Sequence, residues 1–133
     1  MIQELTAHEP AIKVVAMPKD ANADGDIFGG WILSMMDLAG GIVAKKIVRS
    51  RVVTVAVNNM VFHLPVFIGD CVKCYASFER VGTTSITLNV EAYVERAING
   101  KEEKVTEGQF VFVAIDAVTR EPIKIPMPLM LTE

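Results

Sequence analysis

Residues 29–48 read GGWILSMMDLAGGIVAKKIV, and this stretch decides the fold. It is expected to form one helix from about Gly29 to about Val48. At a rise of ~1.5 Å per residue such a helix is about 30 Å long, enough to cross a small domain. Lys45, Lys46 and Arg49 fall in its last turns, where cations complement the helix dipole. Its apolar residues run nearly all the way round, from Phe28, Trp31 and Ile32 through Met35, Met36 and Leu38 to Ile42, Val43, Ile47 and Val48. A helix of that kind is buried on more than one side. One sheet covers it only by curling around it, or a second subunit covers the rest.

The flanks supply the sheet. Upstream, residues 11–17 (AIKVVAM) form a short β-type run ended by Pro18, and residues 20–30 form a loop dense in Asn, Asp and Gly. Downstream, residues 51–61 (RVVTVAVNNMV) are strongly β-prone. Residues 71–80, 84–96 and 104–116 read as further strands. Pro65 and Gly69-Asp70, then Gly82, then the hairpin signal Asn99-Gly100 separate them. Alternation is clearest in the third strand of this series, where Ile86, Leu88, Val90, Ala92 and Val94 share one face. One strand, one long helix and then long strands joined by hairpin turns imply an α+β domain, with an antiparallel sheet against a single helix. We expect one domain over residues 1–133 with its core at about 10–116. The tail 121–133, with Pro122, Pro126 and Pro128, is expected to be extended over the surface or partly disordered.

Composition narrows the partners. The chain has 133 residues and is 51% hydrophobic, ample for a core and suggestive of buried subunit interfaces. Its net charge of −3 argues against a nucleic-acid or membrane-surface partner. Residues 1–10 have no basic and apolar signal pattern, and no run reaches the ~18 apolar residues of a membrane span. The cytoplasm is the expected location. Cys71 and Cys74 form a single C-x-x-C, but His8 and His63 do not complete a zinc set at usual spacing. Three residues apart on a strand, the two thiols face opposite ways and read as reduced, one of them in the core. We expect no metal site and no cofactor.

Asp37 is the one carboxylate in the stretch from Ile27 to Val48. Desolvating an acid there is costly unless it does something. The helix positions three, four and seven residues away are Gly30, Leu33, Ser34, Gly40, Gly41 and Ala44, all small except Leu33. The bulky Trp31, Ile32, Met35, Leu38 and Ile42 mostly lie elsewhere. Such a stripe leaves room for a ligand; close packing around a structural Asp37 explains it about as well. The preceding Asn22-Ala-Asp-Gly25-Asp-Ile-Phe28-Gly29-Gly30 shifts the balance. A helix start presents unpaired N–H groups and partial positive charge, and Gly29 and Gly30 remove side chains from it. That suits polarising a carbonyl and holding an oxyanion. Asn22 adds an amide able to fix a water or the carbonyl, although an ordinary turn also accounts for Asn22–Gly25.

Asn22-x-x-Gly25-x-x-x-Gly29-Gly30-Trp31, followed by Met36-Asp37 and Ala39, resembles the hotdog-fold acyl-CoA thioesterases, and the bacterial YciA type most of all. Residues 51–57 (RVVTVAV), Phe62-x-x-Pro65-Val66-x-x-Gly69-Asp70 and Arg80-Val-Gly-x-x-Ser85 are similar to further blocks of that family, in the same order. The resemblance spans about residues 17–116. It implies a hotdog fold, a long helix wrapped by a curved antiparallel sheet. It also implies a homodimer as the minimal unit, commonly assembled into a hexamer as a trimer of dimers, with sites at the dimer interface. Asp37 then matches the catalytic acid. Asn22 matches the residue that positions thioester or water, across the subunit boundary. Gly29 and Gly30 match the carbonyl-polarising backbone. The turn Arg80, Gly82, Thr83, Thr84, Ser85 matches the pantetheine–phosphate contact.

The expected chemistry is hydrolysis of acyl-CoA to free CoA and a carboxylic acid. A partly desolvated carboxylate is a stronger base than a free one, and Asp37 would deprotonate a water or attack the carbonyl itself. The basic cluster Lys45, Lys46, Arg49 and Arg51 is a second candidate for the CoA phosphates, though the helix dipole already explains Lys45 and Lys46. A serine hydrolase is excluded by the lack of a G-x-S-x-G motif. The alternative within this fold is a non-catalytic acyl-CoA-binding sensor.

Overall fold

The expected helix forms over Gly29–Val48 (α1) and ends where Arg49 adopts left-handed backbone angles, φ 54° and ψ 45°. The Arg49 N–H closes the last turn by donating to the Lys45 carbonyl. The computed structural model describes residues 9–129. Around α1 run β1 (Ile12–Val15), β2 (Arg51–Phe62), β3 (Cys71–Val81), β4 (Ser85–Glu95) and β5 (Glu102–Ile115). All pairings are antiparallel, in the order β1-β3-β4-β5-β2. All five strands contact α1, so the sheet curls around it.

The alternation read from β4 holds: Ile86, Leu88, Val90, Ala92 and Val94 are fully buried. The Asn99-Gly100 hairpin holds as well, with Gly100 at φ 72° and its N–H donating to the Arg96 carbonyl. One expectation fails. The strands after the helix are not all joined by hairpins, because β2 pairs with β5 and leaves the β2–β3 connection to cross the sheet. That pairing puts Thr54 beside Phe112, which in turn faces Ile86. It also leaves β2 as a sheet edge, with Val55 and Val57 exposed.

The helix meets the sheet along Ile32, Met36, Gly40, Val43, Ala44 and Ile47, all buried. A Cβ on Gly40 would lie 2.9 Å from the Phe112 ring, so the missing side chain is what lets helix and sheet approach. The tail is more ordered than expected over its described part. Ile123 and Ile125 N–H groups donate to the carbonyls of Ala114 and Thr83, and Ile125 is buried. An apolar residue every second position outweighs the prolines between them. Residues 130–133 lie outside the described residues. Cys71 and Cys74 are free thiols on opposite faces, and burial pushes the Cys74 thiol up to about 12.

The β2–β3 crossing is anchored by a buried ion pair. Arg96 Nη1 lies 2.8 Å from both Asp70 Oδ2 and the Pro65 carbonyl, Nη2 reaches Glu103, and the guanidinium sits 5.3 Å over the Phe67 ring. Asp70 also accepts from the N–H groups of Phe67 and Ala97. Burial alone raises its carboxyl, but those two N–H groups and the guanidinium outweigh it and hold the group below the usual carboxylate range. Among the described residues, no helix is long and apolar enough to cross a membrane.

Candidate active site

Asp37 lies where α1 passes from its sheet-facing side to its open side. One turn on, Gly40 is packed against Phe112, whereas Leu38 and Ile42 are 53% and 49% exposed. Thr54 on β2 donates its hydroxyl to Asp37 Oδ1 at 2.6 Å. The carboxylate and this hydroxyl share a cleft of about 390 Å³. Leu38, Ile42, Val52 and Phe112 form its apolar walls, Gly41 leaves space, and Lys45 and Arg51 add two cations. Helical rise puts Lys45 about 12 Å along the axis from Asp37.

This geometry revises the small-residue stripe. Gly40 and Ala44 are spent on packing with the sheet, so they make no room for a ligand. Leu38 and Ile42, expected elsewhere, line the open side. The sheet covers the helix one residue off the direction that spacing around Asp37 suggested, so Asp37 stands at the border and the cleft opens on its Leu38 side. Thr54 was missed as a site residue. In RVVTVAV it reads as one more β-former, and only its position opposite Asp37 distinguishes it.

Asn22 does not line this cleft. Its Oδ1 accepts from the N–H groups of Asp24 and Asp26 at 2.9 and 3.1 Å, and its own N–H donates to the Asp26 carbonyl. The ordinary-turn reading therefore holds for one end of the carboxamide. The other end, Nδ2, has no partner among the described residues. The two glycines at the helix start differ. A Cβ on Gly29 would lie 3.3 Å from the Phe62 ring, so its bare face is covered by an aromatic rather than open to a substrate. Gly30 has nothing within 4 Å of the same position and is the open one. Gly30 and Asp37 are seven residues apart, about 10 Å along one helix.

The Arg80–Ser85 turn joins β3 to β4 and also lies outside the Asp37 cleft. Gly82 N–H donates to the Ser85 carbonyl, and a Cβ on Gly82 would meet Ser85 Oγ at 2.8 Å. The carbonyls of Thr83 and Thr84 accept from Ile125 and Ala114, and Arg80 pairs with Glu79. Ile86 begins the row Ile86–Phe112–Thr54, so this turn is two strand spacings, about 10 Å, from the hydroxyl that holds Asp37. No group of three or more His, Cys, Asp or Glu able to hold a metal occurs among the described residues.

Residues 24–99 match the thioesterase superfamily. This chain belongs to that superfamily. It is 49% identical over 111 residues to the acyl-CoA thioester hydrolase YciA of Salmonella typhimurium, a match covering 81% of this chain and 84% of the relative. A hexameric hotdog fold thioesterase of Campylobacter jejuni superposes with a TM-score of 0.79 at 45% identity, over 89% of each chain. The helix wrapped by a curled antiparallel sheet is the hotdog fold. An acyl-CoA hydrolase of Staphylococcus aureus superposes with a TM-score of 0.80 at 25% identity, over 86% of this chain and 68% of that one. That hydrolase has been crystallised with an asparagine changed to alanine, in complex with coenzyme A, and separately with an aspartate changed to alanine.

Proposed function

We propose that this enzyme hydrolyses acyl-CoA thioesters to CoA and a carboxylic acid, with Asp37 as general base or nucleophile and Asn22 positioning the thioester or water. It needs no cofactor, CoA being part of the substrate and product. The observation that carries the proposal is the Asp37 carboxylate held by Thr54 at the wall of an open apolar cleft. The hydroxyl occupies Oδ1 and leaves Oδ2 to take a proton. As base, Asp37 removes a proton from water as the water oxygen adds to the thioester carbonyl. The oxyanion is met by backbone N–H groups at a helix start, and its collapse expels the CoA thiolate, which takes the proton back. As nucleophile, Asp37 itself adds to the carbonyl, the thiolate leaves, and water splits the resulting anhydride.

A second copy of the chain completes this site. Gly30 and Asp37 of one helix are too far apart to serve one carbonyl, but an antiparallel α1 from a second copy brings its Gly30 and Asn22 towards Asp37. The exposed β2 edge and the half-exposed Leu38 and Ile42 support such a contact. Further support comes from spacing. The asparagine and aspartate altered in the S. aureus hydrolase are fifteen residues apart, as Asn22 and Asp37 are here. The pantetheine arm then runs towards the turn formed by Arg80, Gly82, Thr83, Thr84 and Ser85, where CoA phosphates are held. Assembly as a trimer of such dimers extends to this chain the hexamer described for the C. jejuni relative.

The test is complementation. Asp37→Ala and Asn22→Ala proteins are assayed for thiol release from acyl-CoAs, alone and after co-expression. Asp37→Ala alone should be nearly inactive, and Asn22→Ala alone should be strongly impaired with a residual rate that can still be measured. Random pairing gives hybrids with one intact site, so the mixture should regain about a quarter of the wild-type rate. If both variants are impaired and the mixture gains nothing over them, the two residues act within one chain. Full activity in Asp37→Ala would overturn the assignment.

A further inference from the structure

The block Pro65-Val66-x-x-Gly69-Asp70 takes no part in the chemistry above, yet it holds a buried carboxylate bonded by two N–H groups and a guanidinium. Asp70 is 2% and Arg96 8% exposed. An ion pair this deep recovers its desolvation cost only with good geometry, and a well-packed apolar pair is often as stable. Its position is therefore informative, because what it fixes is the backbone of residues 65–70. Arg96 grips the Pro65 carbonyl, Asp70 grips the Phe67 N–H, and Phe67 packs under the guanidinium.

That backbone in turn holds the Asn22 turn. The Val66 carbonyl accepts from the Ile27 N–H at 2.9 Å, and Asp26 forms a β-bridge with Phe67. Ile27 bridges back to Ala21, and the Asp26 N–H donates to Asn22 Oδ1. The Asn22 turn is thus tied to residues 66–67 by one β-bridge and one backbone hydrogen bond. Hydrogen bonds connected through single steps of backbone, from Pro65 to Val66 and from Ile27 to Asp26, join the guanidinium to the Asn22 carboxamide.

We infer that the Arg96–Asp70 pair is a positioning device for Asn22: by fixing residues 65–67 it sets where the carboxamide stands relative to the thioester. The inference rests on the proposed role of Asn22. Neither Arg96 nor Asp70 touches substrate. An error of about 1 Å in a positioning group costs up to roughly a hundredfold in rate. Arg96→Lys keeps the charge but loses the fork that spans Pro65, Asp70 and Glu103. It should lower kcat between tenfold and roughly a hundredfold with KM changed much less, in protein that remains folded.

The decisive readout is a double-mutant cycle with Asn22→Ala. If Arg96 acts through Asn22, Arg96→Lys costs kcat in the wild-type background and changes it by less than about twofold in the Asn22→Ala background. A merely structural effect lowers kcat equally in both, and that result overturns the inference. Gly69→Ala gives a second route if Arg96→Lys does not fold. Gly69 is at φ 94° and a Cβ there would lie 3.2 Å from Ala97, so the change displaces the same loop without leaving a buried charge unpaired. It should show the same dependence on Asn22, and equal losses in the two backgrounds again overturn the inference. If Asn22→Ala on its own leaves kcat unchanged, the role of Asn22 fails first, and the positioning of it fails with it.

Discussion

The two halves of the candidate site are held in different ways. Asp37 rides on a twenty-residue helix, is steadied by one hydroxyl from a strand, and its backbone is fixed by the contact of Gly40 with Phe112. Asn22 sits in a loop with no regular element beneath it. It is placed by its own turn bonds and by a relay of backbone hydrogen bonds that ends in a buried ion pair. Packing thus secures the group proposed to move a proton, while a polar network secures the group proposed to orient. The lesson is that a loop residue reaches the precision of a helix residue only if charge and hydrogen bonding replace the missing packing.

The largest effect should come from the packed half. Asp37→Asn removes the proposed base or nucleophile while retaining an acceptor for Thr54. Thiol release from acyl-CoA should fall by roughly 10²–10⁴-fold at an unchanged thermal midpoint. A variant that keeps its rate would show that the packed half does not carry the chemistry. Next comes Thr54→Val, which preserves shape and removes the 2.6 Å hydrogen bond. A hydrogen bond to a charged group contributes about 1.5–3 kcal/mol, so kcat should fall between about tenfold and a hundredfold. An effect confined to KM would mean that Thr54 touches substrate rather than orienting the carboxylate.

How much of this contrast was legible in the sequence depended on how unusual each residue looked where it stood. Asp37 stood out because an acid in an apolar helix has no ordinary use. Thr54 did not, because threonine among valines is what a strand contains anyway. The helix and all five strands followed from periodicity and turn residues, which are local. The place of β2 beside β5 is a pairing across more than forty residues, and nothing in either strand names its partner. The glycines show the same limit. Gly29 and Gly30 look alike in sequence, but the ring of Phe62, brought from the far end of β2, covers one and leaves the other open. Asp70 read as part of a turn and Arg96 as the end of a strand, and only their meeting in the interior shows what they hold.

Gly40→Ala probes the packed half without touching a reacting group. The added methyl would come within 2.9 Å of the Phe112 ring and 3.4 Å of Val90, so helix and sheet must part or the ring must turn. Overpacking of this kind costs about 1–3 kcal/mol, measured as a lower urea midpoint. Activity should fall too, because Phe112 lines the Asp37 cleft. A variant as stable as the wild type would show that the helix seat is loose and that the packed half owes its position to Thr54 alone.

The smallest effect should appear in acid, and it should separate the halves. Burial opposes ionisation of Asp70, but the N–H groups of Phe67 and Ala97 and the Arg96 guanidinium prevail and lower its carboxyl below the ordinary value. A carboxyl lowered on folding contributes stability that is present above its unfolded value, about 3.9, and is lost as pH falls through the folded value. From neutral pH down to about 4 the loop should therefore hold, and below that it should loosen. Hydrogen exchange reads this locally. The Ile27, Phe67 and Ala97 amides should lose protection below about pH 4 before those of β4 in the core. In Asp70→Asn the same three amides should be less protected already at neutral pH and show little further loss in acid. If all amides lose protection together, the Asn22 half has no separate stability, and the contrast between a packed and a polar support disappears.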